Sequence, residues 1–532
     1  MKTANCLRGV LCLLGLVSLT FTAVTRASAD VRLPNVFSDN MVLQRDQPVP
    51  VWGWADAGEE VTVEFAGQSK KTTANEAGKW RVDLDKMDAN DRSADLVVRG
   101  NNTVKFGNVV VGEVWVCSGQ SNMEWTVRYS ATPKEVQAAA KHPLIRHFKV
   151  PHRPADVPQD NVKSSWTVCS PGTVLDYTAV GYHFAKRLHF DLHVPIGLIN
   201  TSWGGTRIEP WTTVDGFRSI GHAEFAPAII NKIEKADPTT QAGKRTYGEL
   251  IAATKKWADV AQAAVAAGKY PPPFPARPNL GYSHQDPARL YRGMVSPLVP
   301  YGIRGAIWYQ GESNGTEDQT YYEKKHALVN GWRKAWGQGE FPFYWVQLAN
   351  FTKDHKKPEG NDGYARIRDA QRRALDASNS GMAVIIDIGE AGDIHPKNKR
   401  DVGSRLAQWA LAKDYGRDIV PSGPLFKGLT IEGDKIRIAF DNVGSGLMVG
   451  AKEGFEPAKE VAGGKLARFA IAGADQRWVW ADAKIEGDTV VVSSPQVDRP
   501  VAVRYAHSAN PEGANLYNRD GLPASPFRTD SW

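Results

Sequence analysis

Cysteine is scarce in this chain, with four residues among 532. Cys6 and Cys12 lie in an N-terminal segment that we expect to be removed, so Cys117 and Cys169 remain. Two cysteines allow one disulfide bond or two separate buried thiols, and the sequence leaves both open. Neither has a second Cys or a His at zinc-ligand spacing, which argues against a zinc site.

Long apolar runs and an excess of charge are also missing. After residue 29 no window offers the roughly 18 uninterrupted apolar residues of a membrane-spanning helix. Residues 30–532 carry 62 Lys and Arg against 58 Asp and Glu, and the basic residues are scattered along the chain. Because no zinc-finger or arginine-rich pattern is present, the sequence indicates neither a membrane nor a nucleic-acid partner.

The first 29 residues have the pattern of a secretory signal peptide. Lys2 and Arg8 precede an apolar core over residues 9–17, and the small residues 27–29 form a cleavage-type sequence. We therefore expect a mature chain that begins at Asp30 and is secreted or periplasmic.

The remaining chain of about 500 residues exceeds what one hydrophobic core usually holds, so we expect several domains. Three regions differ in their sequence pattern. Residues 30–106 consist of short alternating segments separated by Gly, Asp and Asn turns, which predicts an antiparallel β-sandwich. In residues 107–420 apolar strands alternate with amphipathic helices, which predicts a parallel sheet with helices on both faces. Over residues 421–532 the β texture returns and predicts a second all-β domain.

The central region also contains a departure from this alternation. Its predicted strands are 109–117, 145–150, 196–200, 305–309, 343–348 and 383–387, and its predicted helices are 134–140, 178–190, 319–336, 367–377 and 397–411. Residues 214–278 are instead helical and close in a proline-rich arm. Such an insertion can act as a lid over a site or as a passive surface element.

The first predicted central strand ends in small and polar residues, Ser118-Gly-Gln-Ser121-Asn122. Ligands of open α/β sheets gather at the carboxyl ends of such strands, so Ser121 occupies a position typical of a nucleophile. The same residues are also a good turn and helix N-cap sequence.

Three further polar segments follow predicted strands. Paired glycines in Trp203-Gly-Gly205-Thr allow a backbone N–H to approach a ligand closely, although an ordinary tight turn has the same composition. In Trp308-Tyr-Gln310-Gly-Glu312 the Gln310 amide is a candidate donor to a developing oxyanion, unless it merely satisfies loop backbone.

The third segment, Asp393-Ile-His395-Pro, supplies a base. A serine hydroxyl is a weak nucleophile near neutral pH, so it needs a neighbouring base and a group that fixes the tautomer of that base. His395 has a carboxylate two residues away, and a predicted helix begins just after it. Serine, oxyanion donors, acid and histidine on successive strand ends would supply every part of such a site.

Together these four segments closely resemble the sialate O-acetylesterase family, whose members are SGNH hydrolases and relatives of certain acetylxylan esterases. The resemblance covers almost the whole chain after residue 29. It implies a flavodoxin-like parallel sheet flanked by helices, Ser121 as nucleophile and His395 as general base. It also implies an oxyanion hole made by the N–H groups of Ser121 and Gly205 and the Gln310 side chain, with no metal or organic cofactor.

One departure leaves the orienting acid open. Many SGNH hydrolases carry Asp three residues before the histidine, where this chain has Gly392. Asp393 is our first choice, Glu312 is the alternative seen in related acetylesterases, and Asp387 is a distant third.

The resemblance implies an esterase that removes O-acetyl groups from carbohydrates, most directly from sialic acids. Trp125, Trp203 and Asn122 lie within the motifs and are candidate substrate contacts, although tryptophan is equally good core material. Acetylated xylan or another polysaccharide is an alternative substrate. A non-catalytic glycan-binding protein is an alternative of a different class.

Overall fold

The computed structural model describes residues 30–275 and 283–532, so the predicted signal peptide lies outside the described residues. The N-terminal region is built from β-strands, as its alternating pattern predicts. They are β1 (Val42–Gln44), β2 (Val49–Trp54), β3 (Glu60–Phe65), β4 (Gln68–Thr73), β5 (Lys79–Leu84) and β6 (Asn90–Arg99). Strands β2 and β5 pair with each other, while β3, β4, β6 and β1 belong to a second sheet.

The central sheet has the parallel arrangement predicted from the sequence. Its strands are β7 (Thr103–Gly119), β8 (Ile145–Lys149), β9 (Trp166–Val168), β10 (Ile196–Ser202), β11 (Gly305–Tyr309), β12 (Phe343–Val346) and β13 (Ser380–Ala383). The parallel order is β8, β10, β7, β11, β12, β13, and β9 runs antiparallel to β8 at the edge. The chain therefore crosses β7 when it passes from β10 to β11.

Nine α-helices occur in the described part of the chain. They are α1 (Ser121–Glu124), α2 (Pro133–Ala139), α3 (Ala179–Leu192), α4 (Val214–Ser219), α5 (Ala226–Lys235), α6 (Gln241–Ala266), α7 (Gln319–Trp336), α8 (Gly363–Arg373) and α9 (Lys399–Lys413). The predicted helical insertion contains α4 to α6. None of the described helices is both long and apolar enough to cross a membrane.

Helices cover both faces of the central sheet, as the alternation of side chains shows. Trp308 of β11 is in register with Ser118 of β7, so both point to the same face of the sheet. Trp115 lies three residues before Ser118 on β7 and therefore points to the opposite face. Trp115 contacts Phe184 of α3, whereas Trp308 contacts Trp332 of α7. Helices α3 and α7 therefore lie on opposite sides of the sheet.

One predicted strand is displaced. The apolar run that predicts a strand over 383–387 is buried, but β13 ends at Ala383 because its partner β12 ends at Val346. Among the described residues, 384–388 have no neighbouring strand to pair with, so their apolar side chains pack in the hydrophobic core without forming a strand.

The C-terminal region is all-β, as predicted, with its own core around Ile438, Val490 and Phe527. Its strands are β14 (Leu425–Glu432), β15 (Lys435–Asp441), β16 (Leu447–Ala451), β17 (Lys459–Glu460), β18 (Phe469–Gly473), β19 (Trp478–Trp480), β20 (Asp482–Glu486), β21 (Thr489–Ser493), β22 (Pro500–Tyr505), β23 (Leu516–Asn518) and β24 (Phe527–Arg528). The buried Arg368 of α8 joins this region to the centre by donating to the carbonyls of Leu348 and Ser508.

Strand β7 joins the N-terminal region to the central sheet. Its first half pairs with β6 in antiparallel and with β1 in parallel, so the N-terminal region is not purely antiparallel as predicted. The second half of β7 pairs with β10 and β11. The domain boundary predicted between residues 106 and 107 falls inside this strand. At its midpoint the fully buried Glu113 accepts hydrogen bonds from Arg45 at 2.5 Å, Arg304 at 2.8 Å and Gln44 at 2.9 Å.

We expect Glu113→Ala to destabilise the protein by about 3 kcal/mol, because removing one member of a buried ion network leaves the other charges uncompensated. The free energy of unfolding from denaturant titration measures this. The matched control is Glu60→Ala, which breaks the exposed 2.8 Å pair with Lys71 and should cost less than about 1 kcal/mol. Equal losses in the two variants would contradict the role given to Glu113.

Candidate active site

Three of the four predicted segments meet at one edge of the sheet. Ser121 begins α1 directly after β7, Trp203 to Gly205 follow β10, and Gln310 to Glu312 follow β11. These strands are neighbours, with β7 between the other two. The segments therefore gather at the point where the strand order changes direction, which is where open α/β sheets bind ligands.

Gly119 ends β7 and allows the backbone of β7 to lie close to that of β11. Gly119 has a φ of 136°, and a Cβ atom there would lie 2.1 Å from the carbonyl oxygen of Tyr309. The next N–H, that of Gln120, donates to the same carbonyl at 3.0 Å. Only a residue without a side chain fits so close to β11, and the tight turn then directs Ser121 to the sheet edge.

His395 reaches Ser121 from the loop before α9. Its Nε2 atom lies 2.9 Å from Ser121 Oγ, a distance at which a neutral imidazole can accept the hydroxyl proton. The Trp125 ring stacks on the imidazole with centroids 4.7 Å apart and planes 16° apart. Burial, followed by the charge of Lys399, lowers the pKa of His395. The imidazole is thereby biased toward its neutral, proton-accepting form.

The three candidate acids occupy different environments. Asp393 Oδ1 lies 3.5 Å from His395 Nδ1 and accepts the backbone N–H of His395 at 2.8 Å. Asp387 accepts two hydrogen bonds from Arg405, at 2.6 and 2.8 Å, so its carboxylate is paired with Arg405 rather than with His395. Glu312 Oε1 accepts from Asn122 at 2.5 Å, and burial raises the pKa of Glu312.

Asn122 is predicted as a substrate contact, but the structure places it under the site. Its side chain is 1% exposed. Its amide donates to Glu312 and, at 3.0 Å, to the carbonyl of Ile394, while its oxygen accepts a hydrogen bond from Lys399. Both N–H groups of the amide and its oxygen bond to protein, so we assign Asn122 a supporting position instead.

Gln310 is predicted as an oxyanion donor, and its position does not suit that role. It is fully buried, and its amide nitrogen donates to Asn314 Oδ1 at 2.8 Å and to the Thr206 carbonyl at 3.2 Å. Tyr321 donates to its side-chain oxygen at 2.9 Å. Gln310 therefore braces the turn after β11 rather than facing the serine.

The paired glycines lie beside the serine, as expected. A Cβ atom at Gly204 would lie 3.3 Å from Ser121 Cβ, which shows how closely the turn approaches the nucleophile position. The Gly204 N–H donates to Glu124 Oε2 at 2.7 Å. Gly205 has a φ of 72°, and a Cβ atom there would meet nothing within 4 Å. The side-chain position of Gly205 is thus open, whereas that of Gly204 is crowded by Glu124 and Ser121.

The two candidate stacking tryptophans already stack on histidines. The Trp203 ring lies between those of His152, at 4.2 Å between centroids, and His284, at 4.7 Å, with planes 2° and 9° apart. Both faces of Trp203 are covered, so it is not a free surface for a sugar. Trp125 has one face against His395.

Two charged residues at the site escape sequence-based prediction. Glu124 lies one helical turn after Ser121 and bonds both Gly204 and His152. Lys399 is 1% exposed at the start of α9. A lysine there opposes the helix dipole, which is a signal that the sequence does contain.

The two described cysteines are not joined by a disulfide bond. Cys117 and Cys169 are two separate buried thiols, which settles the alternative left open by the sequence. Across residues 30–275 and 283–532, His, Cys, Asp and Glu side chains form no group of three that could hold a metal ion.

The chain matches the family model described as carbohydrate esterase, sialic acid-specific acetylesterase, over residues 111–255 and 282–412. These ranges cover just over half of the chain and include all four motifs.

Curated relatives agree with this match. The chain is 29% identical to rat sialate O-acetylesterase over 458 residues, which cover 78% of this chain and 80% of that protein. It is 28% identical to the human sialate O-acetylesterase over 453 residues, which cover 77% of each.

A solved structure extends the likeness to the whole architecture. A carbohydrate acetylesterase from Xanthomonas citri is 37% identical, has a TM-score of 0.77, and matches 94% of this chain and 100% of its own. The chain is a carboxylic ester hydrolase with carbohydrate esterase activity, so the alternative of a non-catalytic glycan-binding protein is not supported. It belongs to the sialic acid-specific acetylesterase family of carbohydrate esterases.

Proposed function

We propose that this chain removes O-acetyl groups from sialic acids through a covalent acetyl-enzyme formed on Ser121. The observation that carries the proposal is the 2.9 Å contact between Ser121 Oγ and His395 Nε2 at the carboxyl edge of the sheet. The rat and human relatives, both named sialate O-acetylesterase, support sialic acid as the sugar. The signal peptide expected over residues 1–29 supports export of the enzyme.

In the first half-reaction Ser121 Oγ attacks the acetyl carbonyl while His395 accepts the hydroxyl proton. His395 then returns this proton to the sugar oxygen, which leaves as the alcohol. In the second half-reaction His395 removes a proton from water, and the resulting attack releases acetate and restores Ser121. The backbone N–H groups of Ser121 and Gly205 are our proposed donors to the tetrahedral oxyanion.

For the orienting acid we propose Asp393. Its carboxylate faces Nδ1 of His395 at 3.5 Å, whereas Glu312 is directed to Asn122. The contact is long and the Asp393 side chain is 39% exposed. We therefore infer that Asp393 orients His395 only weakly in the unliganded enzyme and more strongly when substrate excludes water.

The sugar specificity is tested by a substrate screen. We expect O-acetylated sialosides to release acetate faster than acetylated xylan does, with the released products identified by mass spectrometry. Ser121→Ala is the matched control and should lose at least about 10³-fold in kcat on every substrate, since the nucleophile is gone. A variant that kept the wild-type rate would refute the serine mechanism. Preference for xylan in the wild type would refute only the choice of sugar.

The acid is tested by comparing Asp393→Asn with Glu312→Gln in kcat on a small acetyl ester. We expect Asp393→Asn to lose on the order of 10²-fold, because an amide cannot stabilise the imidazolium. Glu312→Gln keeps an oxygen that can accept from Asn122 and should lose less than about 10-fold. A larger loss in Glu312→Gln would assign the role to Glu312 instead.

A further inference from the structure

A buried lysine lies beneath the contact between Ser121 and His395. Lys399 is the first residue of α9 and follows His395 by four positions. Its ammonium group donates to Asn122 Oδ1 and lies 5.8 Å from the centroid of Trp125 and 5.6 Å from that of Tyr309. A lysine this deeply buried is uncommon unless it is paired. Its position therefore calls for an explanation.

Asn122 connects this lysine to both proposed reacting residues. Asn122 is the residue after Ser121, and it donates at 3.0 Å to the carbonyl of Ile394, the residue before His395. Its other N–H donates to Glu312 at 2.5 Å. The network of Lys399, Asn122, Glu312 and the Ile394 carbonyl thus fixes α1 against the histidine loop. A shift of any member changes the separation of Ser121 and His395.

The charge of Lys399 also acts on the imidazole. The titratable groups that face Lys399 are Tyr309 of β11, Glu312 after β11, Glu390 and Asp393 in the histidine loop, and His395 itself. Burial lowers the pKa of Lys399 to about 7, despite the carboxylates around it. Below this pH the lysine is charged, and a positive charge disfavours protonation of a neighbouring imidazole.

We propose that Lys399 is a positioning residue of the esterase site, which holds Ser121 and His395 together through Asn122 and, by its charge, keeps His395 in the proton-accepting form in mildly acidic solution. This inference rests on the proposed function, because it needs Ser121 as nucleophile and His395 as base. If the proposal holds, Lys399 sets the pH at which esterase activity falls on the acidic side.

Two substitutions separate the two effects. Lys399→Gln removes the charge but keeps a donor for Asn122, and Lys399→Met removes both. The experiment measures kcat and kcat/KM for hydrolysis of p-nitrophenyl acetate between about pH 4.5 and pH 8. Circular dichroism and thermal unfolding establish that each variant is folded. Lys397→Met is the matched control, because Lys397 is exposed two residues from His395 and water screens its charge.

In both Lys399 variants we expect the acidic limb of kcat/KM to move to higher pH by about 0.5 to 1 unit, because loss of the positive charge raises the pKa of His395. At the pH optimum Lys399→Gln should stay within about 3-fold of wild type. Lys399→Met should lose about 10- to 100-fold in kcat, since small misplacements of reacting groups are costly. Lys397→Met should leave the limb in place.

An unmoved acidic limb in a folded Lys399→Gln variant would overturn the electrostatic part of the proposal. Full kcat in Lys399→Met at its optimum would overturn the positioning part. Either failure is distinct from failure of the proposed function, because Ser121→Ala then remains inactive. If Ser121→Ala were active, the proposed function itself would fall.

Discussion

The end of strand β7 is the constraint on which the site depends. The strand enters from the N-terminal sheets, is fixed at its midpoint by the ion network of Glu113, and stops where Gly119 meets the backbone of β11. This approach leaves no space for a side chain at residue 119, and the φ of 136° is one that glycine adopts readily. Ser121 is therefore positioned by backbone packing between β10 and β11, before any side chain of the site contributes.

A second layer of buried polar groups lies under the contact between Ser121 and His395. Asn122 bonds to Lys399, Glu312 and the Ile394 carbonyl, and Gln310 bonds to Asn314, Thr206 and Tyr321. Buried polar groups without partners cost about 1 to 3 kcal/mol each, so these bonds favour a single arrangement. This arrangement keeps Ser121 and His395 at hydrogen-bonding distance in the unliganded enzyme. The two side chains then need less rearrangement before reaction.

Much of the fold follows from local pattern. Strand β11 and helix α7 have the bounds that periodicity predicts, and the change from alternating to buried-type strands marks the start of the parallel sheet. The sequence also predicts Ser121 and His395 as a candidate pair, because serine chemistry requires a strand end and a neighbouring base, and the two side chains lie 2.9 Å apart.

The supporting contacts are not recognisable from sequence, because they join distant segments. Asn122 meets Glu312 190 residues away and Lys399 277 residues away. Their positions in the motifs therefore predict that Asn122 and Gln310 face the substrate, whereas both side chains are buried and bond to neighbouring turns. Trp203 is a similar case, since its stacking partners are the two histidines His152 and His284.

If Ser121 is a nucleophile activated by His395, the folded enzyme should react with an organophosphate at this residue, as peptide mapping by mass spectrometry would show. We expect one equivalent of label on Ser121, with esterase activity lost in proportion to labelling. Labelling at another residue with loss of activity, or no labelling of a folded and active enzyme, would rule out Ser121 as the nucleophile.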